Sequence, residues 1–302
     1  MKPILTHCTP TGQLATLADR MRHFILASYA DAGHTALVLD HGTLGRMILQ
    51  VQTIRDIRNE MAQYGLRFVD AHAPFGHFED LNTSLSECRK PMIERNKAAL
   101  EICREFGVDT ITIHVGNTRQ PGTTFEELHD NLLRSLDELL PVAEACGVTI
   151  CIENIWHPTN TAEKLLDAIR RFPTEALGIC YDAGHANITS GKERSPENHC
   201  AAVAKEEGVE PVWNDHLLED LLPHVVNCHL HDNDGIYDLH HPVGHGTIDW
   251  SHIRSLLLSA PRLRAIQNES AAESGHALPI HVAVEEFRAL IEDGTIPRPV
   301  TP

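Results

Sequence analysis

Apolar and polar positions run along this chain in two rhythms. Short β-prone runs recur eight times: "PILTH" (3–7), "TALVLD" (35–40), "LRFVDAH" (66–72), "TITIHV" (110–115), "VTICIEN" (148–154), "LGICYD" (177–182), "VVNCHLH" (225–231) and "LRAIQNE" (263–269). Between them, stretches such as 44–64, 88–106, 125–146 and 161–171 carry apolar residues at three- and four-residue spacing, the period of an amphipathic helix. Gly65, Gly107 and Gly147 stand where a helix C-cap belongs, each just before the next strand. Eight strands separated by helices predict a closed parallel sheet, a (β/α)8 TIM barrel forming one domain over residues 1–302. The segment 186–224 is longer and more polar than the other crossovers, and reads as an insertion with short helices near the barrel mouth. The tail from 294 to 302 is expected to be irregular.

Composition sharpens this picture. The chain has 302 residues, ordinary for such a barrel with insertions, and 42% hydrophobic residues are enough for a large core. With 42 acidic against 25 basic residues, the formal charge is −17. A chain this acidic lacks the basic footprint that neutralises phosphates, which disfavours nucleic acid as a partner. Solubility is the plain explanation of the charge. The eight cysteines contain no CxxC pair and fall mostly in apolar runs, as expected of reduced thiols in a cytoplasmic protein. No run approaches about 18 uninterrupted apolar residues, so no membrane span is expected.

The polar residues gather where a barrel enzyme needs them. Active sites of this fold form at the carboxyl ends of the strands. Here strand three ends at His72, strand four near His114, strand five at Glu153, strand six at Asp182, strand seven at His229 and His231, and strand eight at Glu269. Loop residues His185, Asp238 and His240 can join them. Any one of these could be a hydrogen-bonded rim histidine or a helix cap. Six successive strands ending in residues that coordinate metal are hard to produce by solvation alone. The densest stretch, "HLHDNDGIYDLHHPVGHGTIDW" (229–250), holds five histidines and four aspartates. His229 and His231, two apart on a strand, point to the same side, so one can bind metal while the other binds metal or substrate.

These motifs carry a resemblance. "CIEN", "CYDAGHA", the 229–250 block and "NES", in that order on successive strand ends, resemble the xylose isomerase-like barrel superfamily, which includes sugar phosphate isomerases/epimerases and endonuclease IV. The similarity spans about residues 35 to 290. What it implies is a divalent ion, manganese or zinc, held by Glu153, Asp182, His229 and Glu269, with His229 favoured over His231 as the strand-seven ligand. The extra ligand types of the trizinc endonuclease IV would correspond to His72, His114, His185, Asp238 and His240, so more than one ion is open. The family pattern "GEG" is "GHG" here, placing His245 in the loop as a substrate-side or outer residue, beside His231 and Asn154 as substrate contacts.

Two enzyme classes follow. In the leading one, a sugar or sugar phosphate isomerase/epimerase, a metal-stabilised enediolate forms while Glu153 and Glu269 move the proton and His185 holds a substrate oxygen. The alternative is a multinuclear zinc phosphoesterase acting on a small or nucleic-acid phosphodiester. A purely structural metal site is disfavoured, because such sites are usually closed and four-coordinate. A small carbohydrate is the expected partner, and the oligomeric state is left open, a homo-oligomer included.

Overall fold

Eight parallel strands close on one another in the computed structural model, which describes residues 2–9, 14–117, 119–270 and 278–297. They are β1 (Ile4–His7), β2 (Ala36–Leu39), β3 (Arg67–His72), β4 (Thr110–Ile113), β5 (Thr149–Glu153), β6 (Leu177–Asp182), β7 (Val225–Leu230) and β8 (Ala265–Asn268), in that spatial order. β8 pairs with β1, Ile4 beside Ala265 and His7 beside Asn268, which completes the barrel. β2, β4, β5, β6, β7 and β8 are buried at every position. Helices cover the outside while side chains fill the inside, so such strands read as nearly continuous apolar runs.

Among the described residues eleven α-helices surround this barrel: α1 (Asp19–Asp31), α2 (His41–Leu49), α3 (Gln52–Gln63), α4 (Ser86–Phe106), α5 (Phe125–Cys146), α6 (Ala162–Arg171), α7 (Ala183–Thr189), α8 (His199–Glu207), α9 (Leu217–Leu221), α10 (Trp250–Leu257) and α11 (Ile280–Arg288). α5 begins with a capping box, in which the Thr124 hydroxyl accepts from the Glu127 amide and the Glu127 carboxylate accepts from the Thr124 amide. α4 and α5 end on Gly107 and Gly147 in the left-handed conformation, at φ 70° and 69°. That conformation is nearly free for glycine and costs other residues about 1 kcal/mol.

One expectation needs correction. The stretch 44–64 is two helices, not one, because Gln50 adopts an extended backbone that breaks the hydrogen-bond ladder. α2 also starts earlier than the pattern suggests, since the Asp40 carboxylate caps it through the Thr43 amide at 2.7 Å. The insertion holds α8 and α9, preceded by α7, which starts at Ala183. Beyond α11 the chain makes a π-helical turn, Ala289–Asp293, and residues 294–297 form no regular element. Positions 298–302 of the expected tail lie outside the described residues. No described helix is long and apolar enough to cross a membrane.

Candidate metal centre

Strand register brings the ligand-type residues together. Asp182 on β6 pairs with His229 on β7, and Glu153 on β5 pairs with Cys180 on β6. At the barrel mouth His229 Nδ1 lies 2.9 Å from Glu153 Oε1 and 3.0 Å from Glu269 Oε2. Five ligand groups follow among the described residues, the potential ligand atoms in each within 4.8 Å of one another, and three of them cover every histidine and carboxylate involved: His72, His114 and Glu153; Glu153, Asp182, His229 and Glu269; and His185, His231, Asp238 and His240. Glu153 belongs to two of them, turning Oε1 toward His229 and Oε2 toward His114.

The histidines are fixed in a way that suits metal ligation. A backbone carbonyl can only accept a hydrogen bond, so the ring nitrogen facing it must donate. His72 Nδ1 donates to Ala73 O at 2.8 Å, His185 Nδ1 to Asn154 O at 2.8 Å, and His240 Nδ1 to Glu269 O at 2.9 Å. In each ring Nε2 is thereby the nitrogen left to face the ligand groups, and that of His240 lies 3.2 Å from Asp238 Oδ2. His229 is turned the other way: its Nε2 lies 3.3 Å from the Thr112 hydroxyl and its Nδ1 faces the carboxylates. Below Thr112 the barrel interior continues the support, with the Asn227 amide donating to Thr112 Oγ1 and to Asp70. Such outer contacts set the tautomer and orientation of ligating imidazoles.

The residues fit divalent ions on a second count. His114 Nε2 is 3.0 Å from Glu153 Oε2, yet this buried oxygen has no hydrogen-bond donor in proper geometry, and Asp238 Oδ1 also lacks one. Four carboxylates crowd among imidazoles, and the electrostatics show the strain. Burial works against the charge of Glu153, but His229 and His114 hold its carboxyl well below the usual range. His72 is pushed down to about 3 by burial first and His114 second. Burial lowers His240, but the hydrogen bond and charge of Asp238, joined by Glu269 and Asp182, raise it to about 9. Metal binding at such groups would be accompanied by release of imidazole protons. His240 is also the one non-glycine residue among those described with a positive φ, 47°. Such strain persists where its surroundings over-determine it, as they do at functional sites.

The loop 232–250 shows why its motif is so dense. Asp232, fully buried, accepts four hydrogen bonds: Oδ2 from the Trp250 indole at 2.7 Å and Gly244 N at 3.0 Å, Oδ1 from Asn233 N at 3.0 Å and Ile248 N at 3.3 Å. A Cβ on Gly246 would sit 2.2 Å from Asp232 Oδ1, so the two glycines of "GHG" serve this knot. Asp234 closes a turn through Ile236 N and Tyr237 N, and Asp249 caps α10 through His252 N. Of the four aspartates, Asp238 alone enters a ligand group.

A cavity of about 610 Å³ stands over the centre. His72, His114, Glu153, His185, Asp238, His240 and Glu269 line its floor. Among residues the sequence did not single out, Phe75 stacks on His114 at 4.5 Å, Trp156 meets the His185 ring edge-on at 4.9 Å, and Val203, Glu206 and Glu207 of α8 form a wall. Arg119, the only lysine or arginine in the lining, is paired with Glu207 at 2.7 Å. Asp182, His229 and His231 lie beneath, fully buried. His231 Nε2 is 3.2 Å from the Asp182 carboxylate, and its ring stacks on His240 at 3.9 Å. Asn154 brackets β5 and β6 by exchanging hydrogen bonds with the Asp182 backbone. Neither Asn154 nor His245 lines the cavity. Cys180 lies within ligand distance of Glu153 and His229, but burial keeps its thiol pKa high.

Against known proteins, the family model of the xylose isomerase-like TIM barrel matches residues 26–264. The chain belongs to this family. It is 28% identical over 216 residues to an uncharacterised protein of Methanocaldococcus jannaschii, covering 69% of this chain and 66% of that one. It is 27% identical over 202 residues to a probable endonuclease 4 of Thermotoga maritima, covering 63% and 65%. The matches therefore span just under two thirds of those relatives' lengths. Solved structures of the same fold include a D-tagatose 3-epimerase-like protein, with TM-score 0.69, 20% identity and 97% and 99% of the two chains covered. Another is the IOLI protein with a bound zinc atom, at TM-score 0.69, 17% identity and 97% and 99% coverage.

Proposed function

We propose that this xylose isomerase-like barrel is a multinuclear divalent-metal-dependent hydrolase of a small phosphate ester. One observation carries the reading: Glu153 offers one oxygen to His229 and the other to His114, so two ligand groups share a bridging carboxylate, with a third group beside them. Single-ion enediolate chemistry needs Glu153, Asp182, His229 and Glu269 for the ion and the proton, and His185 for a substrate oxygen. It gives no task to His72, His114, Asp238 and His240, all held in place at the same floor. Resemblance to the probable endonuclease 4 points the same way.

Divalent ions, when bound, would supply Lewis-acid charge to a phosphoryl group and make water a better nucleophile at neutral pH. The chain's own groups do the rest. His72, His185, His240 and His229 present one nitrogen each, pre-oriented by Ala73, Asn154, Glu269 and Thr112. Glu269, lining the cavity and 18% exposed, is placed to hold the water and accept its proton. Phe75 and Trp156 flank the substrate and limit access of bulk water. The α8 wall restricts the cavity to small substrates rather than a duplex.

The isomerase/epimerase reading is supported by a different observation: the cavity's single guanidinium is already paired with Glu207, leaving no free lysine or arginine in the lining for a phosphate. Metal analysis of protein purified without added metal, with turnover of p-nitrophenyl phosphate and bis(p-nitrophenyl) phosphate, tests the order. The proposal expects close to three dications per chain, one for each of these three ligand groups, and chelator-sensitive release of nitrophenol. One ion per chain, no ester turnover, and solvent deuterium entering a ketose beside its carbonyl would overturn it in favour of the enediolate route.

A further inference from the structure

A second cavity lies back to back with the first. It encloses about 310 Å³ between the β5–α6 loop and the insertion, and Ile155, Trp156 and His157 line both cavities. That volume is at the lower end of pockets that hold small ligands. Its walls are unlike those of the metal centre. Two of the chain's three tryptophans, Trp156 and Trp213, line it together with Pro158, Pro211 and Val212. His157 Nδ1 is buried there without a hydrogen-bond partner. Glu163, Glu210 and Asp220, all exposed, bring three carboxylates to its lining, and no lysine or arginine is among the lining residues. Arg194, which is not in the lining, stacks on Trp213 at 5.5 Å and shows that this indole already accepts a cation on its ring.

We infer that this cavity is a binding site for a small organic cation, an ammonium group with an apolar body. Indole faces attract cations through the ring quadrupole, and a desolvated alkylammonium gains more from them than a hydrated ion does. The carboxylates add long-range attraction and repel anions. Occupancy would be felt at the metal centre, because Trp156 touches both the cavity and the His185 ring. This inference stands independently of the hydrolase reading.

The test titrates metal-loaded protein with choline, with its uncharged isostere 3,3-dimethylbutan-1-ol, and with pivalate as the anion, following tryptophan fluorescence and calorimetry. Trp250 is buried elsewhere with its indole on Asp232, so a fluorescence change reports Trp156 and Trp213. Choline is expected to bind saturably and at least about tenfold more tightly than the alcohol, in line with a desolvated cation–π contact, and pivalate not at all. Trp213→Leu, which keeps an apolar side chain at a half-buried position, should erase the difference between choline and the alcohol while the far-ultraviolet circular dichroism is retained. Equal binding of choline and alcohol, no saturation by choline, or an unaltered preference in Trp213→Leu would each overturn the inference. Ester hydrolysis without choline binding would sink this inference alone, and choline binding without hydrolysis would sink only the proposed function.

Discussion

Replacing Asp232 by Asn changes no volume and touches no residue of the cavity lining, yet it should damage both stability and the metal centre. The carboxylate accepts from two donors on each oxygen, the indole of Trp250 and Gly244 N on one, Asn233 N and Ile248 N on the other. An amide has one accepting oxygen, so in either orientation its NH2 group faces two N–H donors. Two charge-assisted hydrogen bonds are lost and two buried donors go unmet. At about 1.5–3 kcal/mol for each bond to a charged group, the expected loss is about 3–6 kcal/mol. The same knot holds the loop from which Asp238 and His240 reach the third ligand group, anchored by paired backbone hydrogen bonds between Asp232 and His241 at 2.8 Å. Urea unfolding with unchanged m-value should show the loss. Elemental analysis should show fewer dications per chain than in the parent protein, because His185, Asp238 and His240 would no longer be held together. A stability change under about 1 kcal/mol together with unchanged metal content would refute the role given to Asp232.

Other expectations follow from particular contacts. A Cβ on Gly184 would lie 1.9 Å from His231 Cε1, so Gly184→Ala should displace that ring, lower metal content and activity, and leave most of the barrel's circular dichroism intact; a fully loaded variant would contradict the packing. Chelation should lower the unfolding midpoint and zinc restore it, each site contributing about 2.7 kcal/mol at one hundred times its Kd; an unmoved midpoint on stripping would argue against resident ions. His34 is held down to about 4, chiefly by burial, against 6.5 when free, so its contribution is complete above pH 6.5 and is lost as pH falls toward 4. Between pH 7 and 5 the native chain should therefore lose about 2 kcal/mol more than His34→Gln, in which an amide can still donate to the Ala36 carbonyl; equal losses would rule this out. Abasic duplex DNA should not be incised at physiological salt, since the α8 residues wall the cavity and the chain carries a formal charge of −17; efficient nicking would show that the wall moves aside.

Much of the fold is legible because parallel barrel strands are buried on both faces. Each therefore appears as an apolar run, and the residue that follows it is either a packing residue or a functional one. His72, His114, Glu153, Asp182, His229 and Glu269 announce themselves that way, which is why residues up to 197 positions apart can be expected at one rim. The break at Gln50 is not legible, since Leu49 and Val51 continue the apolar pattern although they are 80% and 75% exposed. Nor can sequence separate the aspartates of the 229–250 block by role: a carboxylate that knots a loop and one that faces a metal group look alike until their donors are seen. Asp249 is the exception, because an aspartate just before a helical stretch is a recognisable cap. Arg119 and Glu207, 88 residues apart, leave no local trace of their pairing.

Charge counting joins the centre to its substrate. Glu153, Asp182, Asp238 and Glu269 bring four negative charges to the three ligand groups, and ligating histidines are neutral. One dication leaves two negative charges uncompensated in a cavity that also contains Asp80 and Glu206 and whose Arg119 is already paired. A phosphate would be repelled from such a floor, whereas an uncharged ketose would be tolerated. Three dications reverse the balance of the ligand groups themselves to two positive charges, which Asp80 and Glu206 bring to neutrality over the cavity as a whole, so the repulsion is removed and the same floor admits a phosphate ester with no free lysine or arginine nearby. The scarcity of cations in the lining, which at first sight argues against a phosphorylated substrate, thus becomes what a fully loaded centre permits. Ion number and substrate charge are one question here, and the bridging position of Glu153 is what weights it toward the multinuclear answer.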